Sequence, residues 1–303
     1  MEQKKILVFL AFVLAVSCVV LSLMLVSVTE SRDYLPESSV DDITAILAES
    51  NIKVDGSLIS TRRRSATVYV CNSGDYNHTV AALLADSSIE KAYLIPDGEI
   101  LMMENGARLE FGSDFSFRYR ADGEAPGEIP PLLPDRLDAG LSEEGKAQIT
   151  SIVTRFLARG SRSFESGGSI NAVTMVGSIQ ESGGTVYALC TRMIDGVEIP
   201  ANRVVCAVEG GIVTAAWGNW YFLTPAQSYT AQLSDLFNIL FNMKKEIGVA
   251  EEEVTVEDIS LCYSLYFYGE EEDFCLIPCW QIVTDTMGNY IFNALDGALY
   301  TID

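Results

Sequence analysis

Histidine is almost absent from this 303-residue sequence, which contains only His78. Histidine-based zinc sites and Ser-His or Cys-His nucleophiles need an imidazole, so His78 is the one candidate for either. Only Asp75 lies near it at a ligand-like spacing, and a solvent-facing histidine is the simpler interpretation. Gly-rich phosphate loops, Gly-x-Ser-x-Gly motifs and paired catalytic carboxylates are missing as well. The sequence therefore predicts no catalytic residue, no metal site, no cofactor and no enzyme activity.

Basic residues are also few. The chain has 20 Lys and Arg against 42 Asp and Glu, which gives a formal net charge of −22. A nucleic-acid partner needs a basic face for its phosphate backbone, and this composition cannot supply one. Hydrophobic residues make up 49% and charged ones 20%, so the chain is too apolar for a disordered acidic tail. We expect a folded protein of one large domain or two ordinary ones.

One long hydrophobic run, Ile6–Val28, contains no charge, no proline and no glycine. As a helix it would extend roughly 34 Å, enough to cross a hydrocarbon core of ~30 Å. Lys4 and Lys5 precede it, and mostly acidic residues follow it. The positive-inside rule then keeps residues 1–5 in the cytosol and places the rest of the chain outside the cell membrane. The predicted localisation is a single-pass membrane protein with an extracytoplasmic C-terminal part.

Two other interpretations of this run are weaker. A cleaved signal peptide has a shorter apolar region and a small-x-small cleavage site, which 26–29 do not provide. A lipidation box around Cys18 lacks the usual leucine and is followed by more apolar residues. Within the predicted helix, small residues could line a helix–helix contact or simply face lipid. These residues are Ala11, Ala15, Cys18 and Ser22.

The segment 121–140 holds four of the nine prolines and predicts a connector. It would separate a membrane-proximal α+β module at 29–120 from a distal α+β module at 141–303. Helical spacing predicts helices after Ser39, from Tyr76, from Ser142 to Gly160, and over 225–247. The last of these has a cap at Thr224, Pro225 in its first turn and Gly248 at its end, with an apolar face from Tyr229 to Phe241.

The remaining apolar segments predict strands separated by Gly-rich turns. A weak internal repeat, at 187–217 and 280–303, predicts two three-stranded meanders. Helices alternating with groups of strands indicate an α+β fold, with helices packed on antiparallel sheets.

Two residue groups leave alternatives open. The aromatic segment Trp217, Trp220, Tyr221 and Phe222 fits either core packing or a peptide-binding groove. Six cysteines follow Cys18 in the chain, and the favoured interpretation is that most are small buried hydrophobes in strands. Cys190 and Cys206 lie on predicted neighbouring strands, so a cross-strand disulfide between them is the alternative.

The C-terminal stretch carries a family resemblance. Ile277–Val283 contains Pro278-x-Trp280 in a predicted strand, and 290–297 follow as Tyr-x-x-Asn-Ala-x-x-Gly in a hairpin. This ending resembles the YycI regulators and the wider set of PepSY-like modules. Upstream, 195–200 and the meander at 204–213 are similar to the preceding part of those proteins, and the short basic start before one anchor matches their N-terminal plan.

The resemblance implies a single-pass membrane protein with a PepSY-like exterior and no catalysis. It also implies two partners: a YycH-type companion protein and the sensor histidine kinase of a two-component system that governs cell-wall metabolism. The six outer cysteines and the strong acidity depart from the family pattern. The alternative function is an extracytoplasmic module that binds a peptide or cell-wall fragment through residues 217–222.

Overall fold

The computed structural model describes Pro36 and residues 38–72, 76–113, 115–123, 141–161, 172–221, 225–267 and 273–302. The predicted membrane segment at 6–28, its four small residues and most of the predicted connector lie outside these ranges. Within them, no helix combines the length and apolarity needed to span a bilayer.

The described residues form four helices and fifteen strands, with one short 3-10 turn at Gly56–Leu58. The helices are α1 (Ser38–Ala48), α2 (Tyr76–Ala85), α3 (Glu143–Ser161) and α4 (Leu236–Ile247). The first eight strands are β1 (Ile52–Val54), β2 (Ser65–Asn72), β3 (Ile89–Ile95), β4 (Gly98–Met103), β5 (Arg108–Gly112), β6 (Ser116–Arg120), β7 (Ala172–Ser182) and β8 (Thr185–Ile194). The others are β9 (Val197–Glu209), β10 (Ile212–Asn219), β11 (Pro225–Gln232), β12 (Val254–Phe267), β13 (Asp273–Thr284), β14 (Asn289–Asn293) and β15 (Leu299–Ile302). The predicted α+β class is confirmed.

The chain forms two compact units, each assembled from separate chain segments. Unit 1 takes the described residues within Met1–Ala66, Thr230–Ser260 and Cys279–Asp303, and unit 2 takes those within Thr67–Tyr229 and Leu261–Pro278. Each unit therefore draws residues from both sides of the predicted connector at 121–140. The long strands β12 and β13 contribute to both units.

Unit 2 is built on a mixed, mostly antiparallel sheet. Antiparallel pairs run from β9 through β10, β6, β5 and β4 to β3, which is the last strand on that side. On its other side β9 pairs with β8, and β8 pairs with β7. A parallel contact joins Cys262 of β12 to Glu198 of β9. β8, β9 and β10 form the first of the two predicted meanders.

Helices α2 and α3 bury one face each in the main core of unit 2, as their apolar spacing predicts. From α2 this core takes Val80, Ala81 and Leu84, and from α3 it takes Ile149, Val153, Phe156 and Leu157. At the start of α3, Ser142 accepts a hydrogen bond from the Gly145 amide at 3.2 Å, so the predicted cap is present. A second core is rich in tyrosine and includes Tyr69, Tyr221 and Tyr263.

Unit 1 contains α1, α4, the second meander β13–β14–β15, and a parallel pair between β1 and the start of β12. The ammonium of Lys244 on α4 donates to the Ile46 carbonyl near the end of α1, at 2.8 Å. The side-chain amide of Asn51 donates to the Ala250 carbonyl at 2.9 Å. These polar contacts fix the ends of the two helices within unit 1.

The predicted helix over 225–247 is wrong in its first half. Residues 225–232 form β11, and the helix begins only at Leu236, where the Asp235 carboxylate accepts a hydrogen bond from the Asn238 amide at 3.0 Å. The Leu233 amide donates to the Arg64 carbonyl at 2.9 Å. The backbone just before α4 therefore forms a hydrogen bond with another segment and not within a helix. The predicted end at Gly248 is confirmed, and this glycine adopts a positive φ of 70°.

Candidate functional site

The edge strand β3 of unit 2 offers an open surface for binding. In the part of the chain that the structure describes, β3 hydrogen-bonds only to β4. Three large apolar side chains stand exposed at its end: Tyr93 at 50%, Leu94 at 91% and Ile95 at 38%. Successive side chains of a strand point to opposite faces, so both faces of this edge present apolar surface.

β3 and β4 form a hairpin, and its geometry depends on the strand register and on one glycine. Ile95 pairs with Gly98 and Leu94 pairs with Glu99 across the turn at 96–97. A Cβ atom added to Gly98 would lie 1.9 Å from the Phe111 carbonyl oxygen on β5, and its φ is +150°. Only glycine allows this close approach of two backbones, so the turn geometry is fixed by the sequence.

A polar contact joins the same hairpin to α2. The imidazole Nε2 of His78 lies 3.0 Å from the Glu99 carboxylate, and Glu99 is largely buried. The sequence predicted a solvent-facing histidine. His78 is half-exposed, and its partner Glu99 was not predicted. No group of three or more potential metal-ligating side chains occurs within the described ranges.

Sequence reasoning identified β3 as a hairpin strand but missed Tyr93, Leu94 and Ile95 as exposed residues. A signal was present: three consecutive apolar residues end the strand, whereas a half-buried strand alternates apolar and polar residues. A fully buried strand gives the same signal. The position of β3 at the edge of the sheet, which distinguishes the two cases, depends on tertiary pairing.

The predicted aromatic site lies elsewhere in unit 2 and is mostly interior. Trp220 is 3% exposed and Tyr221 is 6% exposed. Trp217, on β10, is half-buried, with its ring centroid 6.1 Å from that of Tyr187. Phe222 lies outside the described residues. The burial of two of the four side chains favours core packing over a peptide groove.

Two buried polar side chains hold the backbone of this aromatic segment. Asn202 Oδ1 accepts a hydrogen bond from the Tyr221 amide at 2.8 Å, and the Arg192 guanidinium donates to the Tyr221 carbonyl. The Arg192 guanidinium also lies 5.8 Å from the centre of the Trp220 ring, a cation–π distance. Burial lowers the pKa of Arg192 to about 10. Sequence reasoning gave no indication of Arg192, because a charged residue in a strand ordinarily faces solvent.

This polar arrangement is incompletely satisfied. Asn202 Nδ2 and Trp220 Nε1 are buried and have no hydrogen-bond partner among the residues described. Unpaired buried donors cost free energy, typically ~1–3 kcal/mol each. The burial of Trp220 and Tyr221, together with the hydrogen bonds to the Tyr221 backbone, still makes this segment part of the core.

The six outer cysteines are buried thiols, which confirms the favoured interpretation. On β8 and β9, Cys190 pairs with Val204 and Cys206 pairs with Ala188, so the two thiols are diagonal neighbours and not a directly opposed pair. The proximity of Cys190 and burial raise the pKa of Cys206. Burial also raises the pKa of Cys71 to about 12. The raised pKa values keep the thiols of Cys71 and Cys206 protonated at neutral pH, and both act as apolar side chains.

Comparison of the chain with protein-family models and with curated proteins gave no match.

Proposed function

We propose that this chain is a membrane-anchored, extracytoplasmic protein that acts by binding other membrane proteins and not by catalysis. Two sequence features support the proposal: the uncharged run Ile6–Val28 with Lys4 and Lys5 before it, and the likeness of residues 277–297 to the PepSY-like ending of YycI regulators. By that likeness, the partners are a sensor histidine kinase of a two-component system and a YycH-type companion protein.

The observation that carries the binding proposal is the exposed end of β3. An open strand edge presents unpaired N–H and C=O groups, and partner proteins use such edges by adding a strand of their own. Natural proteins usually protect such edges with charged residues. In β3 the charges of Glu90 and Lys91 pair with each other at 3.0 Å, and the end of the strand at 93–95 carries none. A strand edge with unpaired backbone groups and apolar side chains on both of its faces is suited to a protein partner.

The test is site-specific photocrosslinking in the native membrane. A photoreactive amino acid at position 94 should crosslink to a histidine kinase or a single-pass companion protein, identified by mass spectrometry. The same amino acid at position 249 is the matched control, because Val249 is 75% exposed and belongs to unit 1. Crosslinking should be several-fold stronger from position 94.

A second arm separates loss of binding from loss of folding. Leu94→Glu should abolish co-purification of the kinase while the melting temperature stays within a degree or two, because Leu94 makes little contact with the core. Val249→Glu should leave co-purification unchanged. Equal crosslinking from positions 94 and 249, or retention of the kinase by the Leu94→Glu variant, would overturn the assignment of β3 as the binding edge.

A further inference from the structure

A cavity of about 350 Å³ lies beside α3 within unit 2. Its lining comes from α2, from α3, from β6 with Ala121 after it, and from the start of β10 with Gly211 before it. We infer that this cavity, here called the α3 pocket, binds a small amphipathic monocarboxylate: its apolar wall takes the tail, and Arg155 and Arg159 take the carboxylate.

The inner wall of the α3 pocket is apolar and rigid. Leu84, Phe156 and Val213 line it, and all three are buried members of the main core of unit 2. The Tyr119 ring also lines it, with its centroid 5.0 Å from that of Phe156. Side chains packed into a core keep their positions, so the pocket exists before a ligand arrives. Apolar surface of this kind favours a hydrocarbon tail over a polar ligand.

Among the described residues, the charged side chains that line the pocket are two arginines. Arg155 and Arg159 lie one helical turn apart on α3, and both line the cavity. In the ranges covered by the structure, neither has a carboxylate within salt-bridge distance, whereas Arg108 and Arg120 of the same unit pair with Glu110 and Asp122. Two neighbouring arginines that lack a carboxylate partner among the described residues are unusual in a chain with a net charge of −22.

Stabilisation of the α3 helix explains the position of only one of these arginines. Arg159 lies in the last turn of α3, where a cation is favoured by the helix dipole. Arg155 lies a turn earlier, and two like charges at i and i+4 disfavour the helix. A bound anion would remove this repulsion, and arginine binds carboxylates through two parallel hydrogen bonds.

Tyr119 adds a third polar group. Tyr119 and Arg159 line the same cavity. Burial raises the pKa of Tyr119, and the positive charge of Arg159 partly offsets that rise. No hydrogen bond of the Tyr119 hydroxyl is present in the described part of the chain. Its O–H can therefore donate to the same carboxylate as the arginines.

The size of the pocket limits the ligand. A ligand atom takes roughly the 30 Å³ that water occupies in the liquid, so the volume accommodates roughly twelve non-hydrogen atoms. A straight-chain carboxylate of decanoate length has this size. The volume is also at the lower end of the about 300–1,000 Å³ that small-molecule sites occupy.

The test uses the full-length chain in lipid nanodiscs, with decanoate as the probe and empty nanodiscs as the blank, by isothermal titration calorimetry. Arg155→Gln/Arg159→Gln should weaken decanoate binding by at least about tenfold, because the variant loses charge-assisted hydrogen bonds to the carboxylate. Arg62→Gln is the matched control: it removes an exposed arginine of unit 1 and should not change binding. Decanol should bind more weakly than decanoate, and sulfate should not displace decanoate at equal concentration.

A filling variant tests the apolar wall independently of the arginines. Ala121 lines the pocket at the end of β6, so Ala121→Leu should abolish decanoate binding with little change in melting temperature. If the double arginine variant does not fold, Arg159→Lys replaces it; this change keeps the charge, loses the two-pronged contact and should weaken binding. Unchanged affinity in the arginine variants, equal affinity for decanol, or displacement by sulfate would each overturn the inference.

Discussion

His78 on α2 and Glu99 on β4 lie 3.0 Å apart, and together they join the β3–β4 hairpin to the helix beside it. Glu99 is directly opposite Leu94 in the strand register. Leu94, the most exposed apolar residue of β3, therefore pairs with the residue that anchors the hairpin to α2.

We expect this anchor to stabilise the protein measurably. A double-mutant cycle with His78→Ala and Glu99→Ala should give a coupling free energy of about 0.5–1 kcal/mol by urea unfolding, because Glu99 is largely shielded from water. The same cycle on Glu90 and Lys91 is the control; both side chains are well exposed, and no coupling should be detected. Equal coupling in the two cycles would contradict the role assigned to His78.

Trp220→Ala should destabilise unit 2 strongly, since removal of a buried tryptophan typically costs about 3–5 kcal/mol. Trp217→Ala should cost clearly less, because Trp217 is only half-buried. Urea denaturation followed by circular dichroism measures both. If Trp220→Ala left stability unchanged but abolished binding of a peptide or cell-wall fragment, the aromatic segment would be a binding groove and not core.

Stability should fall as the pH rises above about 9, partly because of Cys71. Burial raises the pKa of this thiol from 9.0 to about 12 in the folded protein. Above pH 9 the unfolded chain loses the thiol proton while the folded protein retains it. The folded state then binds more protons, and the free energy of unfolding decreases with increasing pH. Between pH 8 and pH 10 this one group should account for about 1 kcal/mol.

Cys71→Ala tests that assignment against Val68→Ala, which creates a similar cavity in the same strand without removing a titratable group. Chemical denaturation at a series of pH values should show a shallower decline for Cys71→Ala than for the wild-type chain. The decline for Val68→Ala should match the wild type. An unchanged slope in the Cys71 variant would show that other groups dominate the alkaline transition.

Most of the secondary structure could be predicted from periodicity and turns. The hairpin at 89–103, the helix after Ser142 and both meanders agree with the predicted segments. The error at 225–232 arose because Tyr229, Leu233 and Leu236 fit helical spacing, although Tyr229 is exposed and Asp235 caps the real helix. Periodicity indicates which residues could share one face of a helix. It does not indicate whether the backbone of those residues forms hydrogen bonds with a neighbouring strand instead.

The candidate sites were less predictable because they depend on long-range pairing. Among the described strands, β3 is the last on its side of the sheet, and nothing in residues 89–95 alone specifies that position. The α3 pocket combines residues of two helices and two strands that are distant in sequence. The role of Arg192 was not predicted for the same reason, because its hydrogen-bond partner, the Tyr221 carbonyl, lies 29 positions further along the chain.

The contact between Asn51 and Ala250 spans 199 positions, and the one between Lys244 and Ile46 spans 198. During synthesis, α1 therefore emerges from the ribosome long before α4 and the residues that follow it exist. Closing a loop of this length has an entropic cost that grows only slowly with length, but it makes folding slow. Until translation is nearly complete, the early helix exposes its apolar face, so a chaperone that shields residues 38–48 would raise the yield of folded protein.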